Sequence, residues 1–238
     1  VVFYAEEHQI AKDGCVHEGF VASRQGLPMI PALAETVAIA KYLLMIEATK
    51  VRAHFGLLSC GASVELIKIA KTKGLPVTAD VAMHQLHLTE SLTDGFNSLA
   101  HVRPPLRAEK DKQLLRQGVK DGVIDAICTH HEPLSSSAKL APFAETEPGL
   151  TAFDTYVAFG VQLVNEGLFE PLEWVEKVTL APAKVANMVD RWVEESGWVL
   201  VDPKLEWLVS KDSILSQGKN TPLINQKVVG KVIQTFAV

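Results

Sequence analysis

The sequence predicts an α/β protein built from parallel βαβ units, matching half of a closed (β/α)8 barrel and followed by a small β extension. Three observations predict it. Short apolar runs alternate with amphipathic helical stretches through most of the 238 residues. The apolar runs are not strict polar/apolar alternators, so both faces of the sheet are expected to be covered, as in parallel sheets. The last ~45 residues change to short β-rich runs separated by Asp-Pro, Gly-Lys-Asn and Asn-Gln turns.

The elements follow in order. "VVFYAE" reads as a buried strand. "PALAETVAIAKYLLMIEATK" carries Ala34, Val37, Ala38, Tyr42 and Met45 at helical spacing, so it is an amphipathic helix. "VRAHFGLLSC" is a second strand, and "GASVELIKIAKTKG" is a helix with Val64, Leu66 and Ile67 on its apolar side, closed by Gly74. "LPVTADVAMHQL" is a third strand, "EKDKQLLRQGVKDG" a short polar helix, and "IDAICTHH" a fourth strand. "TAFDTYVAFGVQLVNEG" and "PLEWVEKVTLAPAKVANM" each read as one helix. Residues 1–190 are thus expected to form the barrel part and 191–238 the extension. Trp192, Trp198 and Trp207 are expected to pack the extension on the barrel, the alternative being an exposed partner patch. The chain lacks an initiator Met and opens in a strand-like run, so it is expected to be part of a longer protein.

Apolar residues make up 47% of the chain and charged residues 21%, enough for a sizeable core and against disorder. The formal charge is −5, with Lys and Arg scattered, which argues against nucleic-acid binding. The cysteines, Cys15, Cys60 and Cys128, are odd in number without short paired spacing and read as free thiols in a reducing compartment. No apolar run reaches the ~18 residues that span a bilayer. "VVFYAEEHQI" lacks the basic start of a secretory leader. A cytoplasmic location is expected.

In a parallel α/β barrel, functional groups sit at the C-terminal ends of strands. Glu6, Glu7 and His8 end the first strand. His54 and then Leu57, Leu58, Ser59 and Cys60 lie on the second, Asp80, His84 and His87 on the third, and His130, His131 and Glu132 on the fourth. Imidazoles and carboxylates gathered at such ends suit a divalent metal hydrolase. No His-Glu-x-x-His or paired-Cys pattern is present. A single strand-end histidine is more often a hydrogen-bonded structural group than a ligand. His8 and His17 flank charged loop residues and are expected to be solvated. Cys60 and Cys128 read as core residues rather than nucleophiles. The serines Ser135 to Ser137 read as loop composition, and there is no Gly-x-Ser-x-Gly elbow.

The order of several segments resembles the dihydroorotase family, metal-dependent amidohydrolases with a (β/α)8 TIM-type barrel. "YAEEHQIAKDGCVHEG" is similar to its His-Cys-Glu-Asp segment, and "GLPMIPALAET" to its Gly-Leu-Pro helix start. "AHFGLLSCGASVELIKIAKTKGLPVTADVAMHQLHLTE" resembles its His-Ile-x-His-Val-Ser-Thr and Pro-His-His-Leu strands. "HVRPPLR" is similar to Val-Asn-Pro-Pro-Leu-Arg, and "DGVIDAICTHHEPLSSSAK" to Asp-Gly-x-Ile-Asp-x-Ile-x-Thr-Asp-His-Ala-Pro-His with its following Lys. "PGLTAFDT", "LAPAKVANM" and "GKNTPLINQKVVGKV" follow in family order. The resemblance implies that this chain is the C-terminal half of the barrel with part of the β extension.

The resemblance also places the family's site positions, and the departures fall there. Active members use two metals sharing a hydroxide, and an aspartate as general base. Their first-strand His-x-His pair lies outside this chain. The aspartate of His-Cys-Glu-Asp matches Glu7, and its histidine matches Tyr4. The second, metal-ligating His of His-Ile-x-His matches Leu57, which has no lone pair to offer. The Pro-His-His ligand is kept as His84, with Met83 before it and Gln85 after. The general-base aspartate matches His130, the adjacent family histidine is His131, a substrate-side asparagine matches Arg103, and a substrate-side histidine matches Leu134. Loss of a ligand weakens metal binding, and loss of a base removes a factor of ~10²–10⁴ in rate.

These departures imply a catalytically silent dihydroorotase-like protein of pyrimidine biosynthesis with no bound metal. What the resemblance further implies is a structural role: binding the aspartate transcarbamoylase catalytic chain, as a homodimer within a larger hetero-oligomer. The alternative is an active cyclic amidohydrolase, converting carbamoyl-aspartate to dihydroorotate, with a rearranged zinc site using His84, His130 or His131.

Overall fold

In the computed structural model, residues 1–191 and 197–236 are described. Trp192 lies outside them. Four strands, β1 (Val2–Tyr4), β4 (Ala53–Gly56), β5 (Val77–Ala82) and β6 (Ala126–Cys128), form one parallel sheet in the order β1-β4-β5-β6. These are the four strands expected from the apolar runs, but β1, expected to be buried, leaves Val2 and Tyr4 exposed and turns only Phe3 toward the core. Between β1 and β4 lie α1 (His8–Ala11), β2 (Val16–His17), α2 (Phe20–Gln25), β3 (Met29–Ile30) and α3 (Ala32–Thr49). The two-residue strands β2 and β3 pair with each other in a separate parallel ribbon. The remaining crossovers are α4 (Gly61–Thr72) and α5 (Glu109–Lys120). After β6 come α6 (Tyr156–Asn165), α7 (Pro171–Val178) and α8 (Leu180–Ala186), then the antiparallel pair β7 (Trp198–Leu208) and β8 (Lys227–Phe236).

The sheet register explains how the two faces divide. Val2, His54 and Thr78 lie side by side, as do Phe3, Phe55 and Ala79 one residue further on. Side chains alternate between faces along a strand. Phe55, Ala79 and Val81 therefore enter the core beneath α3, α4 and α5, with Ile39, Ile46, Ile67, Leu115 and Ile124. His54, Thr78 and Asp80 take the opposite, concave face. α4 begins where Asp111 of α5 accepts a hydrogen bond from the Gly61 N–H at 2.9 Å, an acidic cap at a helix N-terminus. Gly74, with φ +74°, ends it in the left-handed region as expected.

Two expectations are corrected. "PLEWVEKVTLAPAKVANM" is not one helix: Thr179 (φ −129°, ψ −81°) separates α7 from α8. Pro182 has no N–H and its ring would collide with the carbonyl four residues back, so the chain restarts a helix with the proline in its first turn. The Asp202-Pro203 pair is not a turn but lies inside β7, where the register slips between Asp202 and Glu206. A bulge is where a strand tolerates a residue without a ladder donor.

The β7–β8 ribbon lies against α6, and Val209, Ile214 and Leu223 share one continuous core with the sheet. Trp207 packs at its edge and donates from Nε1 to the Gly230 carbonyl at 3.0 Å, whereas Trp198 is exposed. No helix among the described residues is long and apolar enough to cross a membrane.

Candidate functional site

The C-terminal ends of the four parallel strands open into one cavity of about 690 Å³, lined among others by Tyr4, Glu6, Leu57, Asp80, Arg103 and His130. Gly56 makes its floor possible: a Cβ there would stand 2.9 Å from the Tyr4 ring.

Asp80 is the centre of the floor. Its Oδ2 accepts from His54 Nε2 at 2.8 Å, and its Oδ1 accepts from the Leu57 N–H at 2.8 Å and the Cys128 thiol at 3.3 Å. His54 Nδ1 meets the Thr78 hydroxyl at 2.8 Å. Three protein donors thus occupy a carboxylate with about four acceptor positions. Burial, followed by the Asp80 charge, pushes the Cys128 thiol well above its usual range, which disfavours the thiolate; the residue was expected in the core but is part-buried and lines the cavity. Cys60, at the N-terminus of α4, is likewise held protonated, pushed up to about 12 by burial and by Glu35.

At the mouth, Arg103 grips Glu6 in a forked ion pair, with Nε 3.0 Å from Oε2. Glu6 also meets His8 Nδ1 at 3.2 Å, and His8 is otherwise solvated as expected. The loop carrying Arg103 is pinned by Gln85, whose Nε2 donates to the carbonyls of Pro104 and Pro105 at 3.1 and 3.3 Å.

Leu57 and His130 both sit in the left-handed region, with φ of 60° and 44°. For a residue such as leucine that conformation costs about 1–2 kcal/mol. His84 is buried beside His130, ring centroids 5.4 Å apart, and neither of its ring nitrogens has a partner among the described residues. Burial holds it neutral, with its pKa pushed down to about 3. His130 Nδ1 is also buried without a partner among those residues, while its Nε2 lies 3.5 Å from Glu132.

Leu57, Arg103 and His130 thus meet at the cavity, with His84 directly behind His130. Glu7 and Leu134 do not join them. The Glu7 carboxylate turns away to Lys41 of α3 at 2.7 Å, which holds it below the usual carboxylate range. Leu134 sits in the loop after β6, its N–H donating to Asn220 at 2.8 Å. His131 faces neither the cavity nor His84. Its Nδ1 accepts from the N–H groups of Ala152 and Phe153 at 3.2 and 3.1 Å, which makes it a loop anchor.

Leu57, which the resemblance matches to a ligand position, has no donor atom, and Arg103 brings a permanent cation to the mouth, so these two residues do not suit a metal there. Among the described residues no three His, Cys, Asp or Glu side chains are grouped to hold an ion.

Sequence reasoning missed a second buried network on the cavity wall. Arg107, 3% exposed, donates from Nε to Ser59 Oγ at 3.0 Å and from NH1 to the Ile30 carbonyl at 2.7 Å, and its NH2 lies 3.9 Å from Glu35. Glu35 in turn accepts from the Ser59 N–H at 3.0 Å and from the Ser59 hydroxyl. His17, expected in solvent, is half-buried against Arg107 NH1 at 3.2 Å, and burial followed by that cation pushes its pKa down to about 4. The available signal was Glu35 in the apolar first turn of α3, where an unpaired carboxylate would be unfavourable.

No protein-family model matches the chain. It is 40% identical over 239 aligned positions to a dihydroorotase-like protein of Pseudomonas aeruginosa, covering 99% of this chain and 56% of that protein. It is 34% identical to a dihydroorotase of Syntrophus aciditrophicus, again over 99% of this chain and 56% of the relative. The chain therefore spans about half the length of the curated relatives it matches. Its backbone superposes on a D-hydantoinase structure with a TM-score of 0.83 at 23% identity, covering 100% of this chain and 55% of that one, a likeness of fold.

Proposed function

Since this chain is related along 99% of its length to dihydroorotases and dihydroorotase-like proteins, we propose that it is part of a pyrimidine-pathway dihydroorotase-like protein that has lost turnover and acts as a structural subunit. The observation that carries the reading is Asp80. Its carboxylate is satisfied by His54, the Leu57 N–H and Cys128, so it has little left to offer a cation. The side chain above it is Leu57, which has no donor atom and keeps a left-handed backbone that leucine gains nothing from. His130 in place of the family aspartate removes the negative charge that would balance metals, and Glu7 and Leu134 stand outside the cavity. The partner in this reading is the aspartate transcarbamoylase catalytic chain, in a cytoplasmic hetero-oligomer containing a homodimer of this protein.

The test uses the purified full-length protein. It is expected to hold no stoichiometric zinc by mass spectrometry of the metal and to show no cyclisation of carbamoyl-aspartate. Turnover abolished by a chelator would overturn the reading. Transcarbamoylase is expected to co-purify with it and to lose activity in its absence. A transcarbamoylase fully active and stably assembled alone would overturn the structural role.

One observation favours the alternative, an amidohydrolase with a rearranged zinc site. Both ring nitrogens of His84 and Nδ1 of His130 are buried without a partner among the described residues, the two rings lie 5.4 Å apart, and buried polar atoms without partners are uncommon. Zinc bound with an affinity that falls in a His84→Ala variant would decide for it.

A further inference from the structure

Three stretches distant in sequence meet at one buried amide. The connection from β6 to α6 supplies residues 130–134 and 149–155, and the chain between β7 and β8 supplies residues 214–221. The amide is Asn220, 4% exposed. Its Nδ2 donates to the Glu132 carbonyl at 2.9 Å and to the Gly149 carbonyl at 3.0 Å. Its Oδ1 accepts from the Leu134 N–H at 2.8 Å and lies 2.8 Å from the Thr151 hydroxyl. Both donor hydrogens and both acceptor positions of the side chain are thus used. The Thr151 N–H adds a bond to the Asn220 carbonyl at 3.0 Å. Nearby, Asp154 accepts from the Leu215 N–H at 2.6 Å and from the Ser216 hydroxyl.

The two stretches of the connection are also tied to each other. The Glu132 N–H donates to the Leu150 carbonyl at 2.9 Å, and His131 accepts from Ala152 and Phe153. His130 and Glu132, which line the cavity, therefore stand on a loop held by the C-terminal extension. That hold is firm. The Asn225 N–H donates to the Val209 carbonyl at 2.8 Å and closes the base of the extension's loop, and Ile214 and Leu223 bury its two sides in the core. The contact is steric as well as polar. A Cβ on Gly218 would stand 2.6 Å from the Leu134 nitrogen and 2.8 Å from the Leu134 carbonyl oxygen.

We propose that residues 214–221 are a latch that sets the position of His130 and Glu132, so that the cavity and the β7–β8 ribbon are one coupled unit. Asn220 is its positioning residue and touches the cavity only through the loop it holds. Such coupling is reciprocal. A displaced latch reshapes the cavity, and a loosened cavity loop frees the latch. It does not depend on whether the cavity is catalytic.

Amide hydrogen exchange on the full-length protein, read residue by residue, tests it, with the NMR signal of the His130 ring as a second readout. The informative amides are those of Glu132, Ala152 and Phe153, whose N–H groups bond to Leu150 and His131 rather than to Asn220. In Asn220→Ala they are expected to exchange at least about tenfold faster, and the His130 signal to shift, while the amides of β5 keep their rates. Gly218→Ala removes no hydrogen bond but pushes on Leu134, and is expected to have the same effect. Thr151→Val keeps the side-chain shape and removes the hydroxyl between Asn220 and Gly218. In it the amides of Leu215 and Ser216 are expected to exchange faster, which reads the coupling from the other side and stands even if Asn220→Ala does not fold. Unchanged rates at Glu132, Ala152 and Phe153, an acceleration shared equally by β5, or unchanged rates at Leu215 and Ser216 in Thr151→Val would each overturn the proposal.

Discussion

Asp80 Oδ2 lies 2.8 Å from His54 Nε2 across the concave face of the sheet, with both side chains largely buried. The pair joins two strands and ties the backbone of Leu57 to the same carboxylate. Removing the carboxylate leaves His54, the Leu57 N–H and Cys128 without their acceptor. Asp80→Ala is expected to destabilise the protein by about 3 kcal/mol, and Asp80→Asn, which keeps an acceptor oxygen, by less. Urea unfolding measures both. Equal stability of Asp80→Ala and wild type would mean the pair does not support the sheet.

The Arg107–Glu35 network predicts non-additivity. Arg107→Met leaves Glu35 buried and unpaired, at a cost of about 3–5 kcal/mol. The double variant Arg107→Met/Glu35→Met is expected to recover most of that loss, because an apolar pair of similar volume replaces the ions without a desolvation penalty. A double variant no more stable than Arg107→Met would place the energy in the other partners of Arg107, Ser59 and the Ile30 carbonyl.

His87 predicts an acid limb in stability. Its ring stacks on Phe159 at 4.1 Å, and burial followed by the Arg116 charge pushes its pKa down to about 3. The unfolded chain takes up that proton near pH 6.5. Between about pH 6 and 3 the unfolded state binds more protons, so stability is complete above that window and falls as pH drops, by about 1.4 kcal/mol per unit for this group. Unfolding free energies measured from pH 7 to 4 are expected to show a shallower slope in His87→Phe, which keeps the stack and cannot titrate. An unchanged slope would assign the acid limb to other groups.

Gly160 predicts a packing failure. A Cβ there would stand 2.1 Å from the indole of Trp174, so α6 and α7 touch only because residue 160 has no side chain. Gly160→Ala gains helix propensity but must displace a buried tryptophan. The expected result is a loss of about 1–3 kcal/mol, visible as a lower Tm. A raised Tm would mean the indole moves freely.

The four parallel strands and the longer helices were legible because their signal is local. Val77 to Ala82 is an apolar run of strand length, and Glu109 to Lys120 has helical periodicity. The break at Thr179 was missed because "PLEWVEKVTLAPAKVANM" keeps a helical composition through it, and only Pro182 marks the restart. Leu57, Arg103 and His130 were singled out by resemblance to a family, and the structure brings all three to one cavity. Glu7 and Leu134 were matched by the same resemblance yet do not line the cavity: the Glu7 carboxylate pairs with Lys41, distant in sequence, and the Leu134 backbone is held by Asn220.

By itself the sequence determined that this chain forms parallel βαβ units and that its relatives are dihydroorotases and dihydroorotase-like proteins. Only the tertiary structure decided that Asp80 has its acceptor positions filled by three protein donors, that Arg103 closes on Glu6, and that Arg107 and Glu35 are buried together. These are contacts between residues 23 to 97 positions apart. A side chain's chemistry is fixed by its identity, but whether a carboxylate is free to bind an ion depends on which donors the fold brings within about 3 Å of it.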